Sequence, residues 1–543
     1  MNLAETITRR DLLTNRRKKA DRPSHIKKDW PTPRVAKLYR KFLDDKPAPY
    51  YPPLKDYTPV PITPSRRHTT VDWNDDAAAH LLRRTLFAPT FSEITTTGAD
   101  TMANTVDTIL ADQDQPEPPG DWVTEPPPQF DSLTQEEIME LLQTYYQRQF
   151  ELIGWWMKRM STQPLSIVEN LTLFWHNHFA TSLQGVFFPQ AMYEQNAVLR
   201  EHSLGNFREL LRRVTFGPAM MIWLDTNSST VYHPNENFAR ELLELFTIGV
   251  DNYTQTDVEE AARAFTGYRT NGVNTNYSYN QATGFGNYWQ QRHDFGPKTF
   301  LGQTGNFDGD DIIDIILQQD QTANFICEKI YKWFVYEVPD DAFVDEMATI
   351  FRNNNYEILP VMDHVFTSDH FYDENFRGCL IRNPLTVTQG IFRQFDIADE
   401  DIPFRYLIDL QHFMGMIPNM PPNVNGWAGY RSWLNSITLP MRKLFTATIT
   451  DGTNLFGGGF DFEPDVVALA QTLSNPNDAE AIVNDLAKLF FPLPISDDLE
   501  NQLLYALLEG AAVYDWDIND AGAPQRLRNL IIYMMRKPEF QLL

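Results

Sequence analysis

The sequence predicts a mainly α-helical protein: a single large helical domain with long loops, preceded by an extended N-terminal arm. Three observations carry that prediction. Apolar residues recur at helical spacing in stretch after stretch. Thr-x-x-Glu start signals stand ahead of two such stretches. Period-two alternation, the mark of half-buried strands, is scarce.

The elements follow in chain order. Residues 1–42 hold thirteen Lys/Arg against Glu5, Asp11, Asp21 and Asp29, a balance of +9. The whole chain carries −26, so the remainder carries −35. Such an arm reads as a solvated terminus, or as one that touches an anionic surface or partner. Pro47, Pro49, Pro52, Pro53, Pro59, Pro61 and Pro64 keep the next stretch extended. Residues 1–71 are therefore the basic, proline-rich arm, and 72–540 the helical domain. A second proline-dense break runs from Pro116 to Pro128. Thr134-x-x-Glu137 then opens an amphipathic helix through Ile138, Leu141, Leu142, Tyr145 and Phe150. Thr256-x-x-Glu259 reads the same way ahead of Ala261 to Phe265. Further helical patterns cover roughly 165–180, 206–215, 235–248, 321–335, 342–353, 357–368, 496–514 and 523–537. Residues 270–300, rich in Asn, Tyr and Gly, are the place for a small β-hairpin or a long loop.

Composition bounds the function. With 42% hydrophobic and 13% aromatic residues the chain can build a sizeable core and is not globally disordered. No apolar run reaches the length of a transmembrane helix. An acidic body is a poor general nucleic-acid binder, because phosphate contacts need clustered cations. Cys327 and Cys379 are the only cysteines, and zinc-type spacing is absent, so two thiols are expected instead of a disulfide framework. Thr8-Arg9-Arg10-Asp11-Leu12-Leu13 looks like a twin-arginine export box. The apolar stretch such a signal needs is replaced by Thr14-Asn15-Arg16-Arg17-Lys18-Lys19, so export by this segment alone is not expected. GxSxG, Walker A, GxGxxG and HExxH patterns are missing, which disfavours α/β-hydrolases, P-loop NTPases, dinucleotide dehydrogenases and zincins.

Five ordered segments resemble a known family. They are Ala79 to Thr90 (AHLLRRTLFAPT), Leu173 to Phe179 (LFWHNHF) and Asn235 to Gly249 (NENFARELLELFTIG), then Phe300 to Gly309 (FLGQTGNFDG) and Pro421 to Trp427 (PPNVNGW). The chain resembles the large bacterial family catalogued as domain of unknown function 1800, over residues 72 to 540. The resemblance implies a protein that is often exported and stands beside a sulfatase-like partner protein. It implies no particular activity.

Four constellations could carry chemistry. In the first, His176 and His178 sit in an otherwise aromatic run with Trp175. At i and i+2 on a helix they point to nearly opposite faces, so one ligand could join them only where the helix ends. They are candidate metal or haem ligands or acid/base groups, or else core histidines bonded to backbone. In the second, Asn237, Arg240, Glu241 and Glu244 form a continuous stripe along one helix face. That stripe reads as an active-site wall or as a structural ion-pair network. In the third, Asn306 to Asp311 fails the calcium-loop pattern at Asp311, and Asp308 or Asp310 capping the helix that follows is the simpler account. In the fourth, Asn425, Trp427 and Trp433 mark a tight aromatic loop that lines a pocket or plugs the core.

Two classes stay open. One is a metal- or cofactor-dependent enzyme, hydrolase or redox. Its catalytic groups would be His176, His178, Asn237, Arg240, Glu241 and Glu244, with Trp175, Asn425 and Trp427 around a metal ion or haem. It requires the histidine motif and the Arg/Glu stripe to share one hollow. The other is a non-catalytic partner-binding or scaffold protein, which predicts no deep pocket at the histidine motif.

Overall fold

A computed structural model describes residues 71–125, 133–270, 287–288, 290–453 and 462–543. The basic arm, its twin-arginine-like box and its proline-dense stretch lie outside the described residues, as does most of the Asn/Tyr/Gly-rich segment. The described residues are mainly helical, as periodicity predicts.

Helix α1 (Asp75–Thr85) starts at Asn74, whose side chain accepts from the Asp76 and Ala77 amides. Its last turn carries Arg83 and Arg84, cations that suit the negative end of the helix dipole. Helix α2 (Gln135–Thr162) begins with the expected Thr134/Glu137 capping box. Its two halves differ. Met139, Tyr146 and Phe150 are exposed, while Leu152, Ile153, Trp156, Met157 and Met160 are buried. Helix α3 (Val168–His178) carries the histidine motif in its last turn. Helix α4 (Glu236–Glu241) runs directly into a π-helical turn at Leu242–Thr247. Helix α5 (Gln255–Ala264) corrects one expectation. Its capping box is Thr254 with Asp257, two residues before the predicted pair, and both the Thr254 hydroxyl and amide bond to Asp257. Asp at the third helical position competes as well as Glu, and the spacing pattern cannot choose between them.

Helix α6 (Gly309–Leu317) is capped by Asp308, which accepts from the Asp310 and Asp311 amides, with Asp311 bonding back. Capping thus accounts for Asp308 and Asp311, while Asp310 forms an ion pair with Arg212. Helices α7 (Asp320–Phe334) and α8 (Pro384–Gln394) complete the walls of the site described below. Helix α8 packs against α2. Helix α9 (Ala479–Phe490) contacts α1.

Strands are short. β1 (Tyr268–Arg269) pairs antiparallel with β2 (Asn287–Tyr288), across the Asn/Tyr/Gly-rich segment. β3 (Lys298–Phe300) pairs with β4 (Gln303–Gly305) through the two-residue turn Leu301-Gly302. Both turn residues have positive φ, as hairpins of this length require. Gly302 adopts it freely, and the Leu301 amide is held by Asp257 at 2.8 Å.

Trp156, Trp175, Tyr145 and Tyr331 are among the largest fully buried side chains. Cys327 is buried and Cys379 half-buried, and neither is in a disulfide. No helix of the described residues is long and apolar enough to cross a membrane.

Candidate functional site

The site is built on the two faces of α3. Glu169, Thr172 and His176 recur at i, i+3 and i+7 and form one stripe. Asn170, Phe174, Asn177 and His178 recur at i, i+4, i+7 and i+8 and form the other. The second stripe opens on a cavity of about 410 Å³, within the usual range for small-molecule sites. Lys329 and Trp333 of α7 line it, with Arg83 and Arg84 of α1, the start of α8 at Asn383 and Thr386, and the loop at Asn425 and Trp427.

His178 is buried, and burial keeps its imidazole neutral by pushing its pKa well below the ordinary value. The Lys329 ammonium pushes in the same direction. Lys329 Nζ lies 3.3 Å from His178 Nδ1, and an ammonium can only donate, so Nδ1 accepts. His178 Nε2 therefore carries the hydrogen and donates to the Phe246 carbonyl at 3.1 Å. Lys329 also donates to the Leu245 carbonyl at 2.9 Å. Both carbonyls belong to the π-helical turn. A π turn breaks the regular i→i−4 ladder, and such turns recur at functional sites. Burial lowers the Lys329 amine to about 8, helped by Lys332 and opposed by Glu328.

The remaining wall is held by hydrogen bonds. Trp333 Nε1 donates to Asn170 Oδ1 at 2.9 Å, and Asn170 Nδ2 donates to the Arg84 carbonyl at 2.9 Å. Asn177 Oδ1 accepts from the Trp427 amide at 2.7 Å. Gly426, at φ +75°, is required there, because a Cβ would lie 2.3 Å from Asn177 Oδ1.

His176 lies on the sealed face. It is buried between Trp156 and Trp427, with ring centroids 5.4 and 5.6 Å away. Its Nε2 has no hydrogen-bond partner among the described residues. Burial pushes it down to about 3. The same face carries a buried ion pair. Arg200 donates twice to Glu169 at 2.9 Å, and Trp156 Nε1 adds a third bond at 3.0 Å. Burial alone would raise the Glu169 carboxyl, yet Arg200 holds it below the ordinary value. Trp175 is fully buried, with its Nε1 on the Ser203 carbonyl at 3.0 Å.

The histidine motif and the helix at 235–248 do meet, but through backbone carbonyls and not through the charged stripe. The cavity lining includes His178, Asn425 and Trp427, and none of His176, Asn237, Arg240, Glu241 or Glu244. Asn237 is exposed. Arg240 donates to Gln255 at 2.8 Å and lies 3.8 Å from Glu236. Glu244 accepts from the Tyr253 hydroxyl at 2.9 Å. Burial, then the neighbouring Glu244, raises the half-buried Glu241. The structure does not bring His176 and His178, the candidate metal or haem pair, onto one face. The two imidazoles have separate surroundings, and both nitrogens of His178 are engaged. Among the described residues no group of three or more His, Cys, Asp or Glu could hold a metal ion.

Sequence reasoning missed Lys329, Trp333, Asn170 and the two arginines. Arg83 and Arg84 stood inside the first family segment, which was a real signal. Lys329 and Trp333 sat in an ordinary amphipathic pattern, and nothing in the spacing marks a lysine that the fold will bury.

No curated protein and no solved structure matches the chain. The family model described as "Protein of unknown function (DUF1800)" matches residues 80–542, nearly the whole described domain, and the chain belongs to that family.

Proposed function

We propose that the chain is an enzyme acting on a small ligand held in this cavity, with Lys329 carrying the proton and His178 positioning it. The single observation behind the reading is the Lys329–His178 contact at the cavity wall. An amine near 8 exchanges protons at physiological pH, which an ordinary lysine does not. Three features support it. The Leu245 carbonyl fixes the amine, the His178 tautomer leaves an acceptor facing it, and Trp333 and Trp427 offer apolar surface beside it.

Of the chemistries put forward from sequence, hydrolysis suits a proton carrier better than electron transfer does. A metal or haem at His176 and His178 is not supported by their surroundings. The scaffold alternative called for no deep pocket at the histidine motif, and the cavity weighs against it. A sulfatase-like partner remains a separate proposal from the family resemblance, tested by co-purification with and without residues 1–64.

Affinity selection tests the enzyme reading. Purified protein is incubated with a pool of small metabolites, washed and analysed by mass spectrometry beside Lys329→Met. A compound retained by the native chain and lost from the variant supports it. No retained compound, or equal retention by both, overturns it.

A further inference from the structure

We propose that Arg83 and Arg84 form an oxyanion subsite in this cavity, so that the ligand carries a carboxylate, sulfate or phosphate group. The inference rests on reading the cavity as a ligand site, and it names the class of ligand.

Both arginines line the cavity and both are buried, at 5% and 3% exposure. Neither is in an ion pair among the described residues, while Arg200, equally buried, and Arg393, half-buried, each have a carboxylate. Arg84 Nη2 donates to the Phe376 carbonyl at 2.5 Å and lies 3.4 Å from Cys379 Sγ. Its Nε and Nη1 have no hydrogen-bond partner among the described residues. Arg83 Nη2 donates to the Lys488 carbonyl of α9, and its Nε is also without a partner. Part of the surrounding charge has the same sign. Arg377 acts electrostatically on Arg83, and Arg83 and Arg442 act on Arg382. Asp76 is the opposing charge that reaches Arg83.

Burying like charges without counter-ions is costly, and structural arginines are normally matched by carboxylates. An oxyanion supplies that match. A guanidinium offers a planar fork of donors that fits a carboxylate, sulfate or phosphate. A second element points the same way. The eleven-residue helix α8 begins on the cavity wall, with Asn383 as its cap and Thr386 in its first turn. Its N-terminal dipole favours negative charge there. Lys329 and Lys332 add positive charge from α7, partly offset by Glu328 and Glu337. A carbohydrate acid or a phosphate or sulfate ester would place its anion at the arginines and its body against the tryptophans.

Selenate, a sulfate analogue with an anomalous X-ray signal, is the probe. In crystals of the native chain a selenate peak against Arg84 is expected. In solution, selenate and inorganic phosphate should raise the melting temperature above that in chloride at matched ionic strength. Binding should fall at least tenfold in Arg84→Gln and be largely restored in Arg84→Lys. A peak only elsewhere, no peak, or equal stabilisation of Arg84→Gln overturns the subsite. If Arg84→Gln does not fold, the crystal measurement on the native chain decides. Lys329→Met separates the two proposals, since it should keep the selenate peak while losing metabolite retention. Loss of the subsite with retention intact would leave the enzyme reading standing.

Discussion

The two faces of helix α3 lie less than one turn apart and have opposite characters. The face with Glu169 and His176 is buried, and its one charged group is matched by Arg200. The face with Asn170, Asn177 and His178 lines a cavity whose basic groups are only partly matched. The difference teaches that burial alone does not mark function, and that what the buried polar group faces does. Glu169 and His178 are both buried, but Glu169 is bonded to Arg200 and Trp156 away from the cavity, whereas His178 accepts from Lys329 at the cavity wall.

The largest effect is expected at His176. Its folded pKa near 3 lies below the ordinary 6.5, so the folded state binds fewer protons than the unfolded state between those values. Stability contributed by keeping this ring neutral is therefore complete above pH 6.5 and lost as pH falls toward 3. The full span is on the order of 5 kcal/mol. His176→Phe should match the native chain within about 1 kcal/mol at pH 7.5, since the ring makes no hydrogen bond through Nε2. It should then unfold at clearly lower pH. Identical acid unfolding curves for the two proteins would break the sealed-face reading.

Next comes Glu169→Gln. It leaves the buried Arg200 guanidinium without its carboxylate, and removing one partner of such a pair costs about 3–5 kcal/mol. Urea unfolding measures it. A loss below about 1 kcal/mol would mean that the pair does not hold α3 in place. Binding in the cavity, read by selenate, should survive wherever the variant stays folded.

Lys329→Met should move the other way. Burial sets the amine near 8 against an ordinary value near 10.5. The folded state thus binds fewer protons between those values, and stability rises with pH through that window. The cost is fully present below pH 8 and amounts to about 3 kcal/mol. The variant should recover part of it at pH 7, less the bond to the Leu245 carbonyl, while losing ligand retention. Such a gain in stability with a loss of binding is what a strained functional group predicts. A variant both unstable and still binding would sink the role given to Lys329.

Much of the fold was legible in the sequence because helices declare themselves locally. The pattern at 165–180 became Val168–His178, and that at 321–335 became Asp320–Phe334. Thr134/Glu137 capped as read, since the two side chains need only each other's backbone. The i, i+2 argument at His176 and His178 also transferred, because helix geometry alone separates those faces. What the sequence could not supply was which face meets which neighbour. Arg240, Glu241 and Glu244 form a real stripe, but α5 and Tyr253 lie beside it, not the histidines. Lys329 and His178 are 151 residues apart, and their contact depends on how α3, α7 and the π turn pack.

The smallest effect is expected on that stripe, and it sharpens the comparison most cheaply. Arg240 is half-exposed, 3.8 Å from Glu236 and bonded to Gln255. Exposed ion pairs of this kind contribute about 0–1 kcal/mol. Arg240→Ala should therefore shift the urea midpoint by less than about 1 kcal/mol and leave selenate binding and metabolite retention unchanged. A selective loss of retention in a stable Arg240→Ala would return the stripe to the site, against the lining seen here. It would also mean that the π turn transmits changes from α4 to Lys329 through the Leu245 carbonyl, since that bond is the direct link from this helix to the amine.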